Sequence, residues 1–181
     1  MPRTTSTNGV DFVKREEGKK NLAYPDPVSR LYRYCVLNGI DPYFLTSLPV
    51  GMTVGDGRPW TIGVGHTGGD VTLGTWWDEA KIDATLKSDL AQWEDYINEE
   101  MAEIDVELSQ NQFDALISFT HNLGRVLAQS TMFRYLKAGN FQAAADEFPK
   151  WDMAGGSHNP SLHARRLRER ALFLTPDQET K

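Results

Sequence analysis

TWWDEAKIDATLKSDLAQWEDYINEEMAEI, residues 75–104, decides the fold. Within it Ile82, Leu86, Leu90, Trp93, Ile97, Met101 and Ile104 recur at steps of three and four residues. That spacing lines one face of a helix, because 3.6 residues complete each turn. The stretch therefore predicts one long helix, with Thr75 and Asp78 as a capping box in which Asp replaces the usual Glu. Upstream the pattern changes. Trp60–Val64 is β-branched and aromatic, and Gly63, Gly65, Gly68 and Gly69 interrupt or follow it, which predicts a small β-element with sharp turns. Leu22–Asp26 reads as extended, since Pro25 and Pro27 push the residues before them out of the helical region. Before that, Asn8 can cap a short helix over residues 8–17 that Gly18 terminates.

Downstream, Ser109 and Gln112 form a second capping box, and Phe113, Leu116, Ile117 and Thr120 follow it on a helix that ends near Gly124. Shorter helices are predicted over residues 131–138, 141–148 and 162–173, and the tail TPDQETK after Leu174 is expected to fray. A short helix, a small β-region and five further helices make an α+β fold. We expect one domain over residues 1–181. Its small β-containing N-terminal lobe covers about 18–74. The mainly helical C-terminal lobe covers 75–174, packs with the helix at 8–17, and is joined to the first lobe by the long helix, with a substrate cleft between them.

Composition excludes several classes. The 181 residues carry a formal net charge of −6, which argues against nucleic acid as a partner, because that needs a basic face. Charge is uneven along the chain. Eleven acidic and two basic residues lie between Asp78 and Glu107, which read as a solvated helix face. His163–Arg170 holds four Arg and one Glu, a candidate anion-facing or carboxylate-holding element. The one cysteine, Cys35, permits no internal disulfide and reads as a buried small hydrophobe. The N-terminal residues lack the apolar stretch of a signal segment, and no run approaches the ~20 apolar residues of a membrane span. His66, His121, His158 and His163 show no HExxH spacing and there is no Cys pair, so no metal and no cofactor are expected. Gly63-x-Gly65 lacks the setting of a phosphate loop.

With 25 acidic residues, a pair of carboxylates is weak evidence by itself. Glu17 stands at a helix end before Gly18, and Asp26 lies in the turn-prone Tyr24-Pro25-Asp26-Pro27. Helix end, turn and strand could fold these carboxyls toward a common cleft, although spacing alone favours an ordinary solvated Glu17 beside Glu16.

Three sets of residues change that weighting. The first is Glu17-Gly18…Leu22-Ala23-Tyr24-Pro25-Asp26-Pro27 with Pro59-Trp60-Thr61-Ile62-Gly63-Val64-Gly65-His66-Thr67. The second is Asn111…Ala115-Leu116-Ile117-Ser118-Phe119…Asn122-Leu123-Gly124 with Ser130-Thr131. The third is Ala144-Ala145-Asp146-Glu147-Phe148…Trp151, Ala154-Gly155-Gly156 and Arg165-Arg166…Glu169-Arg170. In this order, over nearly the whole chain, they resemble the phage-type lysozymes of glycoside hydrolase family 24.

The resemblance implies hydrolysis of the β-1,4 bond between N-acetylmuramic acid and N-acetylglucosamine in bacterial peptidoglycan. Eight residues separate Glu17 from Asp26, as in the family, and Thr61 matches the family's Thr by its own motif. Glu17 would then be the general acid, its pKa raised by burial, with Asp26 and Thr61 holding the attacking water. A water-mediated reaction implies inversion and carboxyls roughly 6.5–9.5 Å apart. As supporting residues the resemblance adds His66, paired with Glu16 as a clip between lobes, together with Asn122 and Arg165, the latter (or Arg166) steadying Glu17. It further implies an endolysin, a monomer held in the host cytoplasm and released through a holin pore to the cell wall.

One departure stands out: 34 residues lie between Asp26 and Thr61, where the family has a handful. The extra segment, roughly 28–54, is apolar enough to form its own helix or a cleft wall. It also brings in Asp56 as a rival to Asp26, and we favour Asp26 for its distance from Glu17. Two other readings are a lytic transglycosylase, which needs only the Glu, and a wall-binding relative without catalysis. Trp76, Trp77, Trp93 and Trp151 read as core or hinge residues, Trp93 on the helix stripe.

Overall fold

Pro25 and Pro27 keep the chain extended after Gly18, and the resulting strand organises the first half of the protein. A computed structural model describes residues 2–177. In chain order their elements are α1 (Thr7–Glu17), β1 (Lys20–Pro25), α2 (Arg30–Leu37), β2 (Trp60–Gly63), β3 (His66–Thr67), α3 (Glu79–Glu103), α4 (Gln110–Leu123), α5 (Thr131–Lys137), α6 (Phe141–Ala145), β4 (Met153–Ala154), β5 (Ser157–His158) and α7 (Pro160–Leu174). β1, β2 and β3 form an antiparallel sheet in that order, and β4 and β5 form a hairpin. The fold is α+β, with a three-stranded N-terminal sheet and a mainly helical remainder. The chain divides into two compact units. One is Glu17–Asp89; the other runs up to Glu16 and resumes at Leu90.

Helix ends follow side-chain chemistry, sometimes at a different residue from the one expected. Ser6, not Asn8, caps α1: the Gly9 N–H donates to Ser6 Oγ at 3.1 Å and the Val10 N–H to the Ser6 carbonyl at 2.9 Å. Gly18 ends the helix with φ +72°, a conformation in which a Cβ would clash. Asp78, not Thr75, caps α3, accepting from the Lys81 N–H at 2.8 Å. Thr75 Oγ1 instead accepts from the Thr72 N–H at 3.0 Å. On α3 the predicted stripe is buried at Ile82, Leu86, Leu90, Ile97 and Met101, whereas Trp93 is half-buried and Tyr96 is the buried aromatic. The Tyr96 hydroxyl accepts from the Ala128 N–H at 3.2 Å, so a polar tip is satisfied at a core position.

In the unit that resumes at Leu90, α4 is the central element. Ser109 and Gln112 make the reciprocal capping box that the sequence predicts. The helix is not one-sided, however, because every residue from Phe113 to Thr120 is buried. Its N-terminus is capped a second time. Asp177 accepts from the N–H groups of Gln110 and Asn111 at 2.7 and 2.9 Å, and Asn111 Nδ2 donates to the Thr175 and Pro176 carbonyls. Against the upward push of burial, those two amides hold the Asp177 carboxyl below its usual range. The expected fraying therefore does not begin at Thr175; residues 178–181 lie outside the described part.

Two buried carboxylates tie this unit together. Asp114 accepts from the Ser6 N–H and from Gln110 Nε2, both at 3.0 Å, and from the Ser6 hydroxyl. Burial pushes its carboxyl upward, and these donors oppose the push. Gly9 packs against it so closely that a Cβ there would meet Asp114 Cγ at 2.5 Å. On α7, which packs along α4, Glu169 accepts from Arg165 Nε at 3.0 Å, Arg166 Nη2 at 2.9 Å and Ser118 Oγ at 2.7 Å. All three charged groups are buried. Burial raises the Glu169 carboxyl while the guanidiniums and the hydroxyl pull toward the charged form.

Two stability changes follow, both measurable by urea unfolding. Gly9→Ala forces a methyl into a carboxylate held by three donors, and should cost about 1–3 kcal/mol. Glu169→Ala strands two buried guanidiniums, and should cost about 3–5 kcal/mol.

Candidate active site

The pairing of β1 with β2 sets Tyr24 opposite Thr61 and Pro25 opposite Trp60. Proline has no N–H to donate, so β1 cannot extend its ladder through Pro25. The next amide takes over: the Asp26 N–H donates to the carbonyls of Gly57 and Pro59 at 3.0 and 3.1 Å. Asp26 then makes a tight turn, its Oδ1 accepting from the Val28 N–H at 2.8 Å and its carbonyl from the Ser29 N–H at 2.9 Å. Glu17 and Asp26 thus stand at the two ends of one strand, Glu17 as the last residue of α1. Both are half-buried, and Thr61 is buried.

Tyr24 links the three. Its hydroxyl is raised above the ordinary phenol range, first by burial, then by the nearby Glu17 carboxyl and, more weakly, by Asp26. Thr61, opposite it on β2, opposes the rise. Both carboxyl groups thus act electrostatically on one phenol that faces Thr61 across the ladder. The sequence reading named Tyr24 only as part of a turn. Its cross-strand position opposite Thr61 depends on a register that 34 intervening residues hide.

Those residues form a closed excursion. Ser29 caps α2 by accepting from the Tyr32 N–H at 3.1 Å, and Leu31 and Cys35 are fully buried. Burial raises the Cys35 thiol, as befits a packing residue. Short 3₁₀ turns follow at Pro42–Phe44 and Val54–Gly57. The Trp60 indole N–H donates to the Val54 carbonyl at 3.0 Å. At Gly57 a Cβ would lie 2.8 Å from the Trp60 ring, so only glycine lets this backbone come close enough to receive the Asp26 amide. The segment also contributes Tyr43, whose ring lies 4.9 Å from that of Tyr24 and 6.1 Å from that of Tyr32. Its hydrogen bond to Tyr32, together with burial, pushes the Tyr43 hydroxyl up to about 12.

Asp56, the rival carboxylate, is committed elsewhere. Its Oδ2 accepts from the Thr53 N–H and hydroxyl at 2.8 and 2.7 Å, and its Oδ1 from Arg30 at 3.0 Å. The Thr53 hydroxyl, the Thr53 amide and Arg30 together hold it below the ordinary carboxyl range. It closes the 3₁₀ turn and anchors α2.

Each of the supporting residues has polar partners within its own unit. His66 Nδ1 lies 2.8 Å from Asp89, its Nε2 3.4 Å from Asp70, and its ring 5.3 Å from that of Trp77. The Glu16 carboxylate is taken bidentately by Arg168 at 2.6 and 2.7 Å, because the guanidinium fork fits both oxygens. Asn122 accepts from Arg166 at 3.1 Å, and Arg165 reaches Glu169 and the Ser118 carbonyl. With Arg170 on Asp146 at 2.6 Å, every Arg of His163–Arg170 holds a carboxylate. Among the tryptophans, Trp77 is buried but Trp76 is 63% exposed. Trp76 bridges Leu22, and alternation along an extended segment turns its side chain outward while Trp77 points in.

Comparison with known proteins agrees with this architecture. The family model described as phage lysozyme matches residues 48–169. The endolysin of Salmonella phage P22 is 39% identical over 175 residues, covering 94% of this chain and 97% of its own length. The endolysin of Bacillus phage B103 is 43% identical over 121 residues, and there the chain spans under half of its relative, 45%. Among solved structures, a P22 lysozyme mutant superposes with a TM-score of 0.67 at 34% identity, covering 96% of this chain and 99% of that one. The muramidase domain of SpmX from Asticaccaulis excentricus gives 0.72 at 30% identity, with the same coverage. The chain belongs to the phage lysozyme family of glycoside hydrolases.

Proposed function

We propose that this protein is an endolysin-type muramidase that hydrolyses the β-1,4 bond between N-acetylmuramic acid and N-acetylglucosamine in peptidoglycan. The observation that supports this reading is the strand β1, flanked by Glu17 and Asp26, whose register sets Tyr24 opposite Thr61. Glu17 protonates the leaving oxygen. Asp26 accepts a proton from the attacking water, and Thr61 orients that water. Attack from the face opposite the leaving group inverts the anomeric centre. The bonds of Asp56 to Thr53 and Arg30 favour Asp26 over Asp56 for this role. Lysis of the host cell from within is the biological setting, with a monomer released from the host cytoplasm through a holin pore. No helix among the described residues is long and apolar enough to cross a membrane. Some relatives, including one of Enterobacteria phage P21 that is 34% identical over 66% of this chain, are SAR-endolysins.

Digestion of purified peptidoglycan, with the new glycan ends identified by mass spectrometry, tests the reaction. The wild type should release reducing N-acetylmuramic acid ends, and Glu17→Gln should lower the rate by about 10²–10⁴-fold. Anhydro-muramic ends would instead make the protein a lytic transglycosylase, and wall binding without new ends would make it a non-catalytic relative. The choice of second carboxylate has its own test in the same assay. Asp26→Asn should lower kcat by about 10²-fold or more, whereas Asp56→Asn should leave kcat within a small factor and weaken only thermal stability. The opposite pattern would transfer the role to Asp56.

A further inference from the structure

β4 and β5 form a tight hairpin whose register pairs Met153 with His158 and Ala154 with Ser157. Gly155 and Gly156, at φ +56° and +80°, make its two-residue turn, where both residues need the left-handed region. The hairpin runs directly into α7 through Asn159, whose side chain accepts from the Ser161 and Leu162 N–H groups at 2.9 and 3.1 Å. The Asn159 N–H donates to the Asp152 carbonyl at 2.9 Å. This backbone framework fixes the base of the hairpin against the first turn of α7.

Three side chains converge there. His163 Nδ1 lies 2.7 Å and His158 Nδ1 2.9 Å from the same oxygen, Asp152 Oδ2. The two imidazole rings stand 5.3 Å apart. One donor atom from each residue falls within 4.8 Å of the other two. The Asp152 carboxyl is held below its usual range, first by its hydrogen bond to His163, then by His158 against burial. The site is open to solvent, since the His158 side chain is 57% exposed. His66 makes an instructive contrast. Its two carboxylate partners sit on opposite ring nitrogens, so their oxygens cannot share one ion with it.

We propose that Asp152, His158 and His163 bind one divalent transition-metal ion of the zinc class, which clips the β4–β5 hairpin to α7. Two imidazole nitrogens and one carboxylate oxygen suit zinc and its neighbours better than calcium or magnesium, which take oxygen ligands. Zinc bonds of about 2.0–2.2 Å place its ligand atoms roughly 3.3 Å apart. The two Asp152–imidazole separations need open by only about half an ångström, and the imidazole donors already lie within 4.8 Å of each other. The two imidazoles bind through Nδ1 as neutral rings with the proton moved to Nε2, and water fills the fourth position. The ion is structural: it joins Asp152 to residues six and eleven positions along, and no step of glycoside hydrolysis passes through it. The spacing Asp-x₅-His-x₄-His matches no single helix face or hairpin ladder, which is why the sequence alone assigns no metal.

The experiment is calorimetric titration of zinc into the untagged protein at neutral pH, with cobalt absorption as a second signal. The wild type should bind one equivalent with micromolar affinity, give the visible bands of tetrahedral cobalt, and melt several degrees higher with zinc present. His158→Ala and Asp152→Asn should each weaken binding by more than about tenfold and lose the zinc-dependent rise in Tm. If Asp152→Asn does not fold, His158→Ala carries the test, because that side chain lies exposed on the hairpin. Absence of saturable binding by the wild type, or equal binding by His158→Ala, overturns the proposal.

Discussion

The antiparallel ladder between β1 and β2 is the constraint on which the candidate site depends. Its register sets Tyr24 against Thr61, and a slip of one residue would turn Thr61 to the opposite face. Proline at position 25 ends the ladder where the Asp26 amide must find other acceptors, and Gly57 and Pro59 provide them. A missing donor in one residue thus fixes the backbone of the next. The side chain of Asp26 is in turn fixed by the Val28 amide. Few of these contacts are strong alone, since a neutral hydrogen bond contributes about 1 kcal/mol net. Together they leave the Asp26 carboxyl few alternative positions.

The unit that resumes at Leu90 solves a different problem. It buries charge. Glu169 between Arg165 and Arg166 is expensive to desolvate, and the Coulombic gain repays that only when geometry is good and the remaining donors are satisfied. Ser118 and Asn122 on α4 contribute to that satisfaction, so the polar network also dictates how α7 lies along α4. The remaining arginines of α7 hold Glu16 and Asp146. Each arginine of α7 thus holds a carboxylate close by. A protein of net charge −6 approaches an anionic polymer without long-range electrostatic help from this helix.

Much of this was legible in the residues. The three-and-four spacing over Ile82–Met101 marked the long helix, the Ser109–Gln112 box marked the start of α4, and Gly18 marked the end of α1. The segment after Pro27 was apolar enough to promise a helix, and α2 is that helix. What stayed hidden has a common cause, in that it depends on contacts distant in sequence. Ser6 outcompetes Asn8 as a cap because Asp114 also holds Ser6. Trp76 turns outward because its backbone bridges Leu22. Thr175–Asp177 stays ordered because α4 offers it free amides. His66 finds Asp89, 23 residues on, and Tyr24 comes opposite Thr61 only once the register of β1 and β2 is known. Local rules read propensity and caps well, but partners some 20–110 residues away lie beyond them.

The closed base of the 28–54 excursion has a consequence for how such chains diversify. Its two ends meet at Asp26 and Gly57, so the segment is attached to the sheet almost as a side branch. The entropy of closing such a branch grows only logarithmically, about 0.6 kcal/mol for each doubling of its length. The body of the branch can therefore lengthen, shorten or be exchanged for a foreign module while the anchoring bonds at its root stay as they are. The position after Pro27 is a natural grafting point, where a new recognition element can be spliced beside the candidate chemistry without redesigning the strands that hold it.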